Sequence, residues 1–386
     1  MNFYDKKWDR IKNQFNGNNG IVSIGSTDII ATAISSVLWF LLPTFLSSEE
    51  YGEIHFVLSI AGIAYTFCLI GNRDVITVFT SKSYNLNSTL YFLSLVSSFI
   101  AILIVFLIFQ IDSIVIILAF VINDLGLGYI LGKKFYMKYS FYIIAQKSLA
   151  LALCISFYFI FGHEAILFGL ALSYLPFTIL IYQGFRNSKI NLNSLKPHGE
   201  FISNNYILNS VGALRAHLDK FLIVPILGFS ALGNYALAMQ AFAIFIMSSG
   251  IVYKYVLAQD ARGISSKKIK QLNVLLSVGI AVFGFFIAPL IISVIFPDYE
   301  ESIDVIQIMS ISVIPAAIGQ MLMSKFLGQE KSRYVLFGRL VTLSIMIPGI
   351  IILGTIYELQ GVSIAYLLSS SGQAIFLFIA SRKFTE

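Results

Sequence analysis

Arg215, His217, Asp219 and Lys220 stand within one stretch of six residues, AHLDK preceded by Arg, inside a run that is otherwise apolar. Five further charges sit the same way, alone or in pairs, in apolar surroundings: Asp28, Arg73, Asp74, Asp124 and Lys147. A planar guanidinium donates bidentate hydrogen bonds to phosphate or carboxylate, and an ammonium offers a compact point charge. Arg215 and Asp219 are four residues apart and share one face of a helix. Lys220 is rotated about 140° from Arg215. Two readings follow. Arg215 and Asp219 neutralise each other and hold helices together, or the four groups line a cavity that meets a charged substrate. The concentration of four ionisable groups in one apolar run favours the cavity. Lys147 and Asp124 are expected to pair as a structural or coupling bridge. These embedded charges nearly cancel, so they do not by themselves define an anion site.

The surroundings of these charges decide what they cost. With 57% hydrophobic and 12% charged residues among 386, and a mean hydropathy of +0.82, the chain is not a soluble globular domain. A span of about 20 apolar residues crosses the hydrocarbon of a bilayer. Twelve such spans are legible: 21–46, 54–80, 89–110, 113–132, 139–161, 165–184, 203–228, 233–257, 271–296, 303–327, 335–356 and 361–380. A charge placed mid-span costs on the order of 2.5–3.5 kcal/mol on insertion scales. Such a group needs a partner or a watery cavity.

Charge in the connections fixes orientation. Every second connection carries Lys or Arg, and the intervening ones carry only acids such as Glu49, Glu50, Glu53, Asp298, Glu300 and Glu301. Only Arg73, Lys147, Arg215 and Lys220, of 26 basic residues, lie outside the basic connections and termini. Positive charge stays on the cytoplasmic side, so both termini are expected there. Basic loops required by topology also account for the pI of 9.1, and no nucleic-acid partner is expected. Cys68 and Cys154 fall inside spans and the four His are scattered, so neither a disulfide framework nor a metal site is indicated. No cleavable signal is expected, because the first apolar run is too long for one.

The organisation expected is an all-α polytopic membrane protein of about 12 transmembrane helices in two pseudo-symmetric six-helix lobes around a central cavity. Residues 1–20 form a cytoplasmic interfacial segment in which Tyr4, Trp8, Ile11 and Phe15 repeat at helical spacing. The N-lobe is 21–184, the inter-lobe loop 185–202, the C-lobe 203–380, and the C-terminus 381–386 is cytoplasmic. The halves look duplicated. Pro43 is followed by Tyr51 and Gly52, and Pro225 by Gly233, Asn234 and Tyr235. Leu131, Gly132, Lys133 and Lys134 close the fourth span, and Leu327, Gly328, Gln329, Glu330 and Lys331 close the tenth. Six spans per half give two halves pointing the same way, a repeat arrangement used by transporters.

Three segments carry a resemblance: LLPTFLSSEEYGEIHFVLSIAGI at 41–63, LDKFLIVPILGFSALGNYALAMQ at 218–240, and FPDYEESIDVIQIMSISVIPAAIGQMLMSKFLGQEKSRY at 296–334. They are similar, in order and spacing, to the Wzx-type polysaccharide-biosynthesis flippases of the MATE-like multidrug/oligosaccharidyl-lipid/polysaccharide (MOP) exporter superfamily. The resemblance implies a flippase, not an enzyme. It would carry undecaprenyl-diphosphate-linked oligosaccharide repeat units from the cytoplasmic to the outer leaflet of the bacterial inner membrane. O-antigen or capsule assembly follows, with a polymerase and a chain-length regulator as partners. It also implies a cavity between lobes in which charged groups receive the diphosphate. By position these are Arg215, Asp219 and Lys220, with His217 alongside, and Asp28, Arg73 and Asp74 from the other lobe. No cofactor is implied, and coupling to H⁺ or Na⁺ is left open. Acids accompany nearly every base, which leaves open which bases are free to meet phosphate. A MATE-type antiporter of the same fold is the first alternative. A membrane glycosyltransferase or polymerase is the second, disfavoured because every acidic turn is too short to form a catalytic outer domain.

Overall fold

The computed structural model describes residues 18–383, apart from 85, 110–114, 187–188, 262 and 265. The amphipathic repeat Tyr4, Trp8, Ile11, Phe15 lies outside the described residues. The elements are α1 (Asn18–Leu41), α2 (Ser48–Cys68), α3 (Arg73–Ser81), α4 (Asn87–Phe109), α5 (Ile116–Gly132), α6 (Tyr136–Phe161) and α7 (Ile166–Leu172). They continue with α8 (Thr178–Arg186), α9 (Gly199–Leu227), α10 (Phe229–Asp260), α11 (Lys267–Phe286), α12 (Ala288–Ile295), α13 (Ser302–Gly328) and α14 (Ser332–Lys383). Short 3-10 turns join several of them. Hydrocarbon offers no partner for backbone N–H and C=O groups, so apolar runs of this length satisfy them internally as helices.

Among the described residues, nine helical stretches are long and apolar enough to cross a membrane. Three features complete the twelve-span layout expected from the sequence. One is α5, apolar but only 17 residues long. Another is α9, which carries Arg215, Asp219 and Lys220 in its second half. The third is α14, whose 52 residues are two arms, 332–356 and 359–383, broken at Tyr357 and Glu358 where Glu358 has φ 51°. Three spans are broken where the sequence reads as continuous. The second divides into α2 and α3 at 69–72, the sixth into α7 and α8 around Pro176, and the ninth into α11 and α12 just before Pro289.

The helix ends reproduce the duplication. α3, α5, α10 and α13 all close with the same six-to-one turn: Tyr84 N to Phe79 O (2.9 Å), Phe135 N to Ile130 O (3.1 Å), Ile264 N to Gln259 O (3.0 Å) and Lys331 N to Phe326 O (2.8 Å). Each has a left-handed residue at the turn, Ser83, Lys134, Gly263 and Glu330, with φ of 59°, 59°, 71° and 59°. This is the Schellman motif. It recurs at the ends of spans two and four and again, six spans later, at the ends of eight and ten.

Packing divides the chain into two units, 1–38 with 64–209, and 39–63 with 210–386. The division does not fall at the inter-lobe loop. Residues 39–63, placed by the sequence in the N-lobe, pack within the second unit. There α2 and α10 cross at paired glycines: a Cβ at Gly52 would overlap the carbonyl of Phe229, and one at Gly233 that of Ser48. The hydroxyls of Ser48 and Ser230 are 2.8 Å apart. Tyr299 donates its hydroxyl to the carbonyl of Leu46 at 2.9 Å, and Tyr51 to that of Trp39 at 2.9 Å. The start of α9 belongs to the first unit for equally local reasons. Asn72 donates to the carbonyl of Asn205 at 3.3 Å, and Tyr206 to that of Phe67 at 3.0 Å.

Candidate functional site

In the second unit α9 presents the charged run, and its members separate by rotation around the helix. Asp219 is almost fully buried. One carboxylate oxygen accepts the hydroxyl of Tyr235 at 2.7 Å, and the other accepts the backbone N–H of Lys220 at 2.8 Å. A carboxylate held by a phenol from α10 is not available to Arg215, although the two share a face. Arg215 makes no ion pair or hydrogen bond with the described residues. Its electrostatic neighbours are the guanidinium of Arg339, on the first arm of α14, and the phenol of Tyr366 on the second. Arg339 reaches over Gly212, with Nη1 3.8 Å from the place a Cβ would take there, and Tyr253 lies in its field. Tyr366 meets Phe242 edge-on, centroids 5.3 Å apart. Two guanidiniums without a carboxylate repel each other. An anion beside them would offset that repulsion.

Lys220 and His217, also on α9, have neighbours of their own. Lys220 donates to the carbonyl of Ala216 at 3.3 Å. The ring of His217 lies against α2 where Gly62 leaves room for it. His55, on α2, is buried among Trp39 and Tyr51, with centroids 5.1 and 4.5 Å away, and its Nε2 has no partner among the described residues.

The first unit holds the other charges, and one expected pairing is corrected there. Asp124 does not bridge to Lys147. Its carboxylate takes the guanidinium of Arg73 at 3.0 Å and the backbone N–H of Arg73 at 2.7 Å. The cause is the break in the second span. Residues 69–72 interrupt the helix, so the N–H groups opening α3 lose their partners. Asn72 caps Val75 N at 3.0 Å, and Asp124 caps Arg73 N. A negative group at a helix start is also favoured by the helix dipole. Lys147 makes no ion pair or hydrogen bond with the described residues. Asp28 accepts the hydroxyl of Tyr139 at 3.2 Å, and Asp74 is exposed in the first turn of α3. No group of three or more His, Cys, Asp or Glu side chains able to hold a metal occurs among the described residues.

Arg339 and His55 were not among the groups singled out from the sequence. Arg339 falls inside the span 335–356 rather than in the loop before it, and that position was its one legible signal. His55 gave none.

No family model matches the sequence, and no curated protein matches it. Solved structures do. A multidrug resistance MATE family transporter of the MOP superfamily, in an inward-facing conformation, is similar over 94% of this chain and 97% of its own, with TM-score 0.72 and 14% identity. The fold is that of the MATE transporters. The lipid II flippase MurJ, inward closed, shares it over 94% of this chain and 87% of its own, with TM-score 0.72 and 10% identity. An outward-facing structure of a multidrug resistance MATE family transporter gives TM-score 0.62 at 14% identity over 96% of both chains. In this MATE-like fold Arg215, Arg339 and Lys147, without an ion pair among the described residues, stand on the seventh, eleventh and fifth spans.

Proposed function

We propose that the chain is a flippase for a lipid-linked oligosaccharide, moving undecaprenyl-diphosphate-linked repeat units from the cytoplasmic to the outer leaflet of the bacterial inner membrane. The observation that carries this is the pair Arg215 and Arg339. They lie within one unit, Arg339 reaching over Gly212 about one turn before Arg215, and neither is paired with a carboxylate among the described residues. A drug-like cation would be repelled by them, whereas a diphosphate supplies the charge they lack. Tyr253 and Tyr366 give the same place phenols that can hydrogen-bond phosphate or sugar hydroxyls. Asp219 stays with Tyr235 and leaves the bases free. With basic connections facing the cytoplasm, both termini are cytoplasmic. The product would pass to a polymerase and chain-length regulator for O-antigen or capsule.

The test removes the gene from its host and restores the parent or Arg215→Ala, Arg215→Lys or Arg339→Gln. Accumulation of undecaprenyl-diphosphate repeat units on the cytoplasmic face, with loss of surface polymer, is the expected phenotype of the deletion. Each loss of a charge-assisted contact weakens binding by about 1.5–3 kcal/mol, about 10- to 150-fold. Arg215→Lys keeps the charge but loses the fork, and recovers less than the parent. Unchanged polymer in the deletion strain defeats the proposal. The second reading, a cation-coupled antiporter, is favoured by one observation, that Asp28 and Asp219 each sit against a tyrosine hydroxyl. Proton-driven efflux of an organic cation by purified protein in liposomes would support it.

A further inference from the structure

The connection between α8 and α9 is held in place yet leaves apolar side chains uncovered. Asn191 and Thr89 bond reciprocally, Asn191 N to Thr89 Oγ1 at 2.9 Å and Thr89 Oγ1 to Asn191 O at 3.4 Å. The 3-10 turn Leu192–His198 follows. It ends with His198 set between Phe79 and Tyr84, centroids 5.1 and 4.9 Å away. A segment tied at both ends has had the opportunity to turn its apolar groups inward. It does not: Ile190 is 51% exposed and Leu192 57%. Lys189 and Lys196 are exposed beside them, as are Asn191, Asn193 and Glu200. At the end of α8, Arg186 lies over the ring of Tyr182, 5.9 Å from its centroid. Glu200 is the one acid near this group.

We infer that residues 189–198 form a foot that docks on the anionic phospholipid surface of the leaflet adjoining the ends of the sixth and seventh spans. The segment connects two membrane spans, so it lies at the edge of the hydrocarbon. Ile190 and Leu192 dip to the acyl boundary, and Lys189, Lys196 and Arg186 meet the lipid phosphates. Exposed apolar side chains flanked by bases are the combination that binds an interface of this charge. The hydrogen bonds to Thr89 and the wedge of His198 pre-organise the foot, so little ordering is needed on contact. This inference does not depend on what the protein transports.

The test uses the full chain in nanodiscs of phosphatidylcholine with increasing phosphatidylglycerol. An environment-sensitive fluorophore is placed on Leu192→Cys, and labelling of the buried Cys68 and Cys154 in the parent is subtracted. Quenching by brominated acyl chains is expected, rising with phosphatidylglycerol. Lys189→Gln and Lys196→Gln should each weaken that response about fivefold, the equivalent of about 1 kcal/mol per charge. The same probe on Asn193→Cys should stay accessible to aqueous iodide. Equal iodide quenching at both positions, with no response to lipid charge, overturns the inference. Ile190→Ser guards against a labelling artefact, because the residue is already exposed and the fold is retained. It should reduce acyl-chain quenching without altering yield.

Discussion

Replacing Asp124 by Ala should destabilise the first unit far more than replacing Arg73 or Lys147. The carboxylate has two jobs with different worth. It accepts the backbone N–H that opens α3 at 2.7 Å, a hydrogen bond to a charged acceptor worth about 1.5–3 kcal/mol. It also pairs with a guanidinium at 3.0 Å, but the Arg73 side chain is 39% exposed, so solvent screening reduces that part to about 1 kcal/mol. Asp124→Ala therefore costs about 2–4 kcal/mol and Arg73→Gln about 1. In the Arg73→Gln background, Asp124→Ala should still cost most of its single-mutant value, because capping does not use the guanidinium. Lys147→Gln removes an ammonium with no ion pair or hydrogen bond among the described residues and should not destabilise the fold. Thermal unfolding in nanodiscs reads these differences at about 2 °C per kcal/mol. Asp124→Ala should lower Tm by several degrees while Lys147→Gln does not lower it. A large loss from Lys147→Gln that fails to add to Asp124→Ala would refute the assignment of Arg73 as partner.

Asp260, at the loop end of α10, accepts Lys270 at 2.7 and 3.0 Å, Ser324 at 2.6 Å and Ser266 at 2.8 Å. Burial alone would raise its carboxyl, but the hydrogen bonds from Lys270, Ser324 and Ser266 hold it below the usual carboxylate range. A depressed folded-state pKa contributes stability above the ordinary carboxylate value and loses it as pH falls through the folded one. Tm measured against pH should accordingly fall below about pH 4, and Lys270→Met should flatten that fall. Lys134→Gly and Glu330→Gly relieve a left-handed residue at a Schellman turn; each should raise Tm by the equivalent of about 0.5–1 kcal/mol. At the crossing of α2 and α10, Gly52→Ala or Gly233→Ala should each cost about 1–3 kcal/mol of overpacking. The double substitution should cost less than the sum, because one separation of the helices relieves both, and Tm of the three variants decides it.

The spans were legible because hydrocarbon forces both length and apolarity on a helix. Among the described residues each of the twelve has a helical counterpart: nine lie in stretches long and apolar enough to cross a membrane, and α5, α9 and the second arm of α14 complete the layout. The breaks at Pro176 and Pro289 coincide with residues that disrupt helices. The break at 69–72 carries no proline and was not legible. Its consequence, a set of freed N–H groups that recruits Asp124, was hidden with it. In the sequence Lys147 and Asp124 lie in neighbouring spans, the fifth and the fourth, and were expected to pair. What decides it is which helix start faces the carboxylate. The same limit applied to Asp219. Its four-residue spacing to Arg215 is real, but the phenol of Tyr235 arrives from another helix and takes the acid away. Arg339 was read as a loop charge because it lies one turn inside its span, where a long side chain can point either way.

The crossing at Gly52 and Gly233 sets an order on how the protein is made. The hairpin of residues 39–63 emerges among the earliest spans, while the groups that complete its packing, from Phe229 to Tyr299, are many helices downstream. At typical synthesis rates of about 5–20 residues per second, it waits roughly 10–50 s for them. During that interval Gly52 exposes bare helix backbone, and Leu46 an unclaimed carbonyl, at the acidic connection between the first two spans. Assembly cannot proceed lobe by lobe. The first hairpin has to be parked, beside lipid or an insertion chaperone, until the eighth span arrives to close over it.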